Sequence, residues 1–184
     1  KSAQQYDKAN KMLVKMVDLS PDLAAEAAKK CATMTRLTPM NFTLRHSLIN
    51  LLWKANEPEK AHRQIQELCR IDDSYKSIAI NQYKKNLFVF PEHKNLLIGI
   101  STLLIETHQY SESITYINQL YDNHSKSITT ILKLLTTILD EYPQQLYALE
   151  LIVKIYFNLK KIEKCLTYIE LLIHANSTEH DLIQ

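Results

Sequence analysis

The feature that most constrains the fold of this chain is a pattern that recurs every 52 residues. Four twelve-residue stretches align without gaps: YDKANKMLVKMV, PEKAHRQIQELC, YSESITYINQLY and IEKCLTYIELLI, beginning at Tyr6, Pro58, Tyr110 and Ile162. Each has a small residue at its fourth position and apolar residues four and seven positions later. This spacing places the three positions on one face of a helix. A repeat of this length predicts stacked helical units rather than one closed core.

The prolines and the composition support the same interpretation. Pro39, Pro91 and Pro143 are also 52 residues apart, and proline is tolerated where one helix has ended and the next begins. The chain has a single glycine, Gly99, whereas strand-rich folds need glycine at turns and bulges. We therefore expect an all-α, antiparallel helical-repeat solenoid of about ten helices. The predicted helices span 3–19, 21–37, 40–55, 58–71, 75–89, 92–107, 110–122, 126–140, 144–158 and 162–175.

These helices group into three-helix units of 52 residues. We expect one domain over 1–184, with a partial unit at 1–20, full units at about 21–73, 74–125 and 126–177, and a polar tail at 178–184. The opening helix corresponds to the third helix of a unit whose first two helices are missing. The sequence therefore predicts a fragment of a larger protein. It also predicts an apolar face on that helix, including Leu13 and Val17, which needs cover.

The repeated hairpins resemble tetratricopeptide repeats (TPRs). YDKANKMLVKMVDLSP is similar to the second half of such a repeat, with Ala9, Leu13, Met16 and Pro21 at the family positions. NFTLRHSLINLLWKANEPEKAHRQIQELCRID, KNLLIGISTLLIETHQYSESITYINQLYDNHS and QLYALELIVKIYFNLKKIEKCLTYIELLIHANS resemble whole repeats. The sequence departs from the tetratricopeptide pattern in two ways. The period is 52 rather than 34 residues, and the glycine of the first helix is replaced. The residues in its place are Ile49, Ser101 and Val153.

The resemblance implies a function in binding proteins. In this family the first helix of each hairpin lines a concave groove, and the matching residues here are Thr43, His46, Asn50, Trp53, Asn95, Ile98, Thr102, Ile105, Tyr147, Glu150, Lys154 and Phe157. Trp53 would anchor an apolar side chain and Asn50 and Asn95 would hold a peptide backbone. The alternative is that Trp53, Ile98, Ile105 and Phe157 pack against the extra helix of each unit. Most of the family's carboxylate clamp is missing, because its positions hold His46, Asn50, Thr102 and Lys154.

The last helix carries a broad apolar stripe: Ile162, Leu166, Ile169, Leu172 and Ile173. The favoured prediction is that the stripe is buried against the preceding hairpin. The alternative is that part of it is exposed and packs against a second copy of the chain or another partner.

The sequence contains no motif for catalysis or for a cofactor. One glycine cannot form a phosphate-binding loop, and neither HExxH nor paired Cys–His spacing occurs. The acidic pairs Asp72–Asp73 and Asp140–Glu141 lie beside helix ends, where carboxylates act as caps. Cys31, Cys69 and Cys165 are expected to be thiols in a reducing compartment. We expect no enzyme, no cofactor and no metal site.

The charge is unevenly distributed, with 12 Lys and Arg against 7 Asp and Glu over 1–71 and 10 against 13 over 72–184. This distribution leaves nucleic-acid binding as the alternative function, through the basic residues of the first half. They include Lys8, Lys11, Lys15, Lys29, Lys30, Arg36, Arg45 and Lys54. The favoured interpretation is a cytoplasmic interaction scaffold in a larger protein, and the family resemblance implies a role in signal transduction. Its expected partners are a protein or peptide, an N-terminal domain of the same chain, or a second copy through the terminal helices, and no membrane.

Overall fold

The computed structural model describes the backbone of residues 2–181 and the side chains of residues 5–177. This part of the chain is all-α. Its ten helices are α1 (Ser2–Leu19), α2 (Ala24–Leu37), α3 (Phe42–Lys54), α4 (Pro58–Ile71), α5 (Lys76–Leu87), α6 (Lys94–Glu106), α7 (Tyr110–Asn123), α8 (Ile128–Glu141), α9 (Leu146–Asn158) and α10 (Ile162–Asp181). The predicted number of helices is confirmed, and most of the predicted bounds agree to within two or three residues.

The chain forms two compact units, 1–86 and 87–184. In the first unit α2 packs against α3 and α3 against α4, while α1 contacts both α2 and α3. Their apolar faces meet in one core, since each helix presents small or aliphatic residues at helical spacing. That core contains Val17, Ala24, Ala27, Ala28, Cys31, Leu44, Leu48, Leu51, Leu52 and Ala61.

In the second unit each helix packs against the next, from α6 through α10. Two further contacts skip one helix, α6 with α8 and α7 with α9. The hairpins α6–α7 and α9–α10 have the most extensive contacts, as the short links between them predict. Fully buried aliphatic residues include Leu96, Leu97, Ile100, Leu104, Ile117, Leu120, Ile131, Leu135, Ile138 and Ile152.

The 52-residue period is confirmed in the backbone geometry. Asn56, His108 and Lys160 follow the first helix of each hairpin, and their φ angles are 57°, 56° and 55°. Each left-handed residue donates its N–H to the carbonyl three residues back, and the next residue donates five residues back, as in Glu57 N to Leu52 O at 3.0 Å. This is the Schellman motif, which glycine usually completes. Its recurrence without glycine shows that these hairpins have one common turn.

The start of each full unit repeats as well. A 3₁₀ turn precedes α2, α5 and α8, at Pro21–Leu23, Asp73–Tyr75 and Ser125–Ser127. Because these turns are tighter than an α-helix, the α-helices begin about two or three residues later than predicted for the first and third units. Asp72 caps the second turn as expected, since its Oδ1 accepts from Ser74 N at 3.0 Å.

The small residue of each hairpin lies against the backbone of its partner helix. Ser113 Oγ donates to the carbonyl of Ser101 at 3.0 Å, and the Cys165 thiol lies 3.8 Å from the carbonyl of Val153. Ala61, the equivalent residue in the first unit, is fully buried. Ser101 and Val153 lie on the first helix of their hairpins, opposite these small residues. In both hairpins a small side chain on the second helix therefore lies directly against the backbone of the first.

Candidate protein-binding surfaces

In the first unit, the predicted groove residues of α3 differ in accessibility. Thr43 and Asn50 are exposed, whereas His46 and Trp53 are half-buried. Trp53 packs against the core of that unit. The His46 ring is held by Tyr75, whose hydroxyl lies 3.0 Å from His46 Nδ1. Burial lowers the pKa of His46, so its ring is neutral near pH 7.

The equivalent face of α6 is more enclosed. Asn95, Ile98 and Thr102 are half-buried, and Ile105 is only 4% exposed. The Thr102 hydroxyl donates to the carbonyl of Ile98 at 2.8 Å, within the same helix. Ile105 belongs to the core, and this helix therefore presents little side-chain surface to a partner.

The equivalent face of α9 is open. Tyr147, Glu150, Lys154 and Phe157 are all exposed, and the two aromatic side chains are 64% and 65% accessible. Large exposed aromatic side chains on one helix face are typical of binding surfaces. Of the three helices predicted to line a groove, only α9 has all four of its predicted residues exposed.

Lys154 is positioned by residues of α7. Its Nζ lies 3.8 Å from a carboxylate oxygen of Asp122 and 5.1 Å from the centre of the Tyr121 ring. Asn158, one turn after Lys154, donates from Nδ2 to the Tyr121 hydroxyl at 2.7 Å. Tyr121, Asp122 and Asn158 were not predicted from the sequence as site residues. The spacing of Asn158 could have indicated a shared helix face, but the contacts from α7 depend on how the helices pack.

The prediction that the apolar stripe of α10 is buried is wrong. Ile162, Leu166 and Ile173 are 56%, 55% and 65% exposed. Ile169 and Leu172 are half-buried. The buried face of α10 instead contains Cys165 and Ala175, because small residues permit close contact with a neighbouring helix. The helix therefore has an open aliphatic face beside its packed one.

At the other end of the chain, the prediction that the apolar face of α1 needs cover is right for only one of its two named residues. Val17 is buried in the core of the first unit, so it needs no further cover. Leu13 and Met16 are half-buried. Their equivalents Ile65 and Leu68 in α4 are fully buried, and α4 packs against the helix before it, α3.

Several basic residues of the first half form ion pairs. Lys30 lies 2.9 Å from Glu26, Lys54 2.5 Å from Asp18 and Arg45 3.3 Å from Glu67. Arg45 is also buried and donates from Nε to the carbonyl of Pro39 at 2.7 Å. These three side chains therefore have partners within the chain.

Within residues 5–177, no group of three or more His, Cys, Asp or Glu side chains is arranged to hold a metal ion. Across the described helices, none combines the length and the apolar character needed to cross a bilayer. Cys31 and Cys165 are buried thiols, and burial raises the pKa of Cys31 to about 11.

In comparisons with known proteins, no protein-family model and no curated protein sequence matches this chain.

Proposed function

We propose that this chain is a non-enzymatic protein-interaction module and that its partner contacts the exposed face of α9, composed of Tyr147, Glu150, Lys154 and Phe157. The observation that supports this proposal most directly is the accessibility of Tyr147 and Phe157, which are each nearly two-thirds exposed on one helix. Aromatic residues of this kind dominate the binding energy of many protein interfaces. Burying both rings would remove a large apolar area from water.

The polar residues of the α9 face would provide specificity. Lys154 is held between a carboxylate and an aromatic ring, so less side-chain entropy is lost when it binds a partner. Glu150 lies one turn before Lys154 and adds an opposite charge to the same face. A partner with apolar anchors flanked by charges of both signs would match this arrangement.

The broader context of this proposal comes from the resemblance to tetratricopeptide repeats. In that family such arrays are scaffolds joined to signalling or regulatory domains. We therefore propose that the chain is the partner-binding part of a larger cytoplasmic protein, with its helices stacked in a TPR-like array. The common turn at Asn56, His108 and Lys160 supports a repeat architecture.

Site-directed photo-crosslinking tests the α9 face. A photoreactive phenylalanine replaces Tyr147, Phe157 or, as the control, Phe88 in cells of the source organism. Phe88 is the best-matched control because it is 90% exposed yet does not lie on α9. We expect crosslinked proteins at positions 147 and 157 that are not obtained at position 88.

A binding measurement with the crosslinked partner completes the test. Tyr147→Ala and Phe157→Ala should each weaken binding about tenfold, which is the usual effect of truncating an aromatic anchor. Phe88→Ala should bind like the unmodified chain. Equal crosslinking at all three positions, or equal affinity of the three variants, would contradict the proposal.

A further inference from the structure

The exposed face of α9 has a symmetric order of residue types. Tyr147, Glu150, Lys154 and Phe157 follow one another at spacings of three, four and three residues. Aromatic side chains therefore lie at both ends of the face, and two side chains of opposite charge lie between them. All four are exposed. When the helix is reversed end to end, each aromatic position falls on the other, and the acidic position falls on the basic one.

The spacing of these residues suits a second helix that lies along the same face. Alternating steps of three and four residues average 3.5 residues, which is the repeat that keeps a row of side chains facing a partner helix in a coiled coil. With a rise of 1.5 Å per residue, Tyr147 and Phe157 are about 15 Å apart along the helix axis. A helix that crosses α9 at an angle of about 20° would contact the whole row.

The two charges of the face are not paired with each other. Glu150 and Lys154 are four residues apart, the usual spacing of an ion pair within a helix. The Lys154 Nζ instead lies 3.8 Å from an Asp122 carboxylate oxygen and 5.1 Å from the centre of the Tyr121 ring. The side chain of Lys154 is still 54% exposed. Both charges are therefore accessible to a partner.

The charges decide the direction of a second α9 helix on this face. In an antiparallel pair centred on Ile152, Glu150 of each copy lies opposite Lys154 of the other, and Tyr147 lies opposite Phe157. In a parallel pair in register, Glu150 would lie against Glu150 and Lys154 against Lys154, and like charges repel. Only the antiparallel pair matches every side chain of the face with a suitable one.

We propose that the partner of the α9 face is a second copy of this chain, in a dimer of twofold symmetry with its two α9 helices antiparallel. This inference rests on the proposed function and names the partner of the same face. A twofold interface uses one surface on both subunits, so that surface must be complementary to itself. The face of α9 meets this condition in its aromatic ends and in its charged centre.

The aromatic ends supply the affinity of the dimer. Four rings, each nearly two-thirds exposed in the single chain, are removed from water. Exposed ion pairs add little free energy, and their effect is to select the antiparallel direction. A single helix face is smaller than the interfaces of about 1,200–2,000 Å² that are typical of stable complexes. The dimer is therefore reversible, and its population rises with concentration.

Sedimentation velocity of the full 184-residue chain over a range of concentrations tests the dimer, and we expect a monomer–dimer equilibrium. Glu150→Lys and Lys154→Glu should each raise the dissociation constant about tenfold or more, because each places like charges opposite one another. The double variant restores opposite charges, and its dissociation constant should return to within about threefold of that of the unmodified chain. Asp122 lies near position 154 in both Lys154→Glu and the double variant, so its effect cancels when these two are compared.

A mixture of the two single variants gives a second readout. Glu150→Lys has two basic residues at the centre of the face, and Lys154→Glu has two acidic ones. The mixture should therefore form a heterodimer at concentrations at which either variant alone is monomeric. The control is Glu170→Lys, which makes the same charge change at an exposed position of α10; its dissociation constant should change less than about twofold.

Three results would overturn the proposed dimer. They are a chain that is monomeric at every concentration, equal effects of Glu150→Lys and Glu170→Lys, and a double variant that dimerises no better than the single variants. If the chain is monomeric while other proteins crosslink at positions 147 and 157, only the second copy as partner is wrong. If neither a dimer nor a crosslink at these positions is found, the proposed function of the α9 face is wrong as well.

Discussion

The buried pair of His62 and Tyr83 offers a quantitative test of the repeat architecture. The equivalent positions in the next unit, 52 residues later, are occupied by two buried aliphatic residues, Ile114 and Leu135. His62 and Tyr83 are 7% and 1% exposed, and the Nδ1–hydroxyl distance is 2.7 Å. Replacing His62 by Ile deprives a buried tyrosine hydroxyl of this bond, which costs about 1 to 3 kcal/mol. Replacing Tyr83 by Leu removes the bond from the other side at a similar cost.

The double variant His62→Ile with Tyr83→Leu reproduces the aliphatic pair of the next unit. Because no polar group of the pair then remains, its loss of stability should be smaller than the sum of the two single losses. We expect a coupling energy of about 1 to 2 kcal/mol. With a urea m-value of about 1 to 3 kcal/mol per molar, each single variant should lower the midpoint by about 1 M.

The assay is urea unfolding monitored by tryptophan fluorescence. Trp53 is the only tryptophan in the sequence, and it packs against the core of the first unit. His62 and Tyr83 lie in the same unit, 1–86. The signal therefore reports the relevant unit. The control is Lys54→Met in the same unit, because the ion pair of Lys54 with Asp18 is exposed, at 46% and 55%, and its loss should cost less than about 1 kcal/mol. A coupling energy below about 0.5 kcal/mol, or an equal effect of the control, would refute the reasoning.

Three further predictions concern single positions. Lys160→Gly should increase the free energy of unfolding by about 1 kcal/mol, because lysine has a positive φ at this position. Urea unfolding followed by circular dichroism would measure this increase. Asn56→Gly should have a smaller effect, since asparagine tolerates that conformation. Ser113→Ala should destabilise the second unit by about 1 kcal/mol through loss of the hydrogen bond to the Ser101 carbonyl, and Ser113→Cys, which copies the last unit, should lose less in the same assay. The contribution of Cys31 to the free energy of unfolding should be constant up to about pH 9 and then fall towards pH 11, because the folded pKa of Cys31 is raised above its ordinary value of 9.0 to about 11; Cys31→Ala should remove this part of the fall, as urea titrations at several pH values would show.

The local structure of this chain could be predicted closely from its sequence. The helix bounds and the 52-residue period depend on residue spacing along one helix face and on proline positions, and both are visible in a single chain. The turns at His108 and Lys160 could not be predicted in the same way. Neither residue is a glycine or an asparagine, which are the usual residues of this turn, and the conformation is adopted because the packed hairpin requires it.

The candidate binding residues were predicted less completely. All twelve occupy equivalent positions by spacing, yet Ile105 is buried while Phe157 is 65% exposed. Spacing defines the face of a helix on which a residue lies, but it does not show whether another helix covers that face. The same limit explains why the stripe of α10 was expected to be buried.

The sequence alone therefore determined the repeat, the helices and the face of each helix to which an apolar residue belongs. These properties follow from the 3.6-residue period of a helix, which is local. Only the tertiary structure decided which of the repeated faces are covered. Asn10 and His62 each contact the helix that follows in the chain, whereas Leu166 lies on an open face. Whether a helix face is covered depends on contacts between separate helices, and the residue spacing within one helix does not specify those contacts.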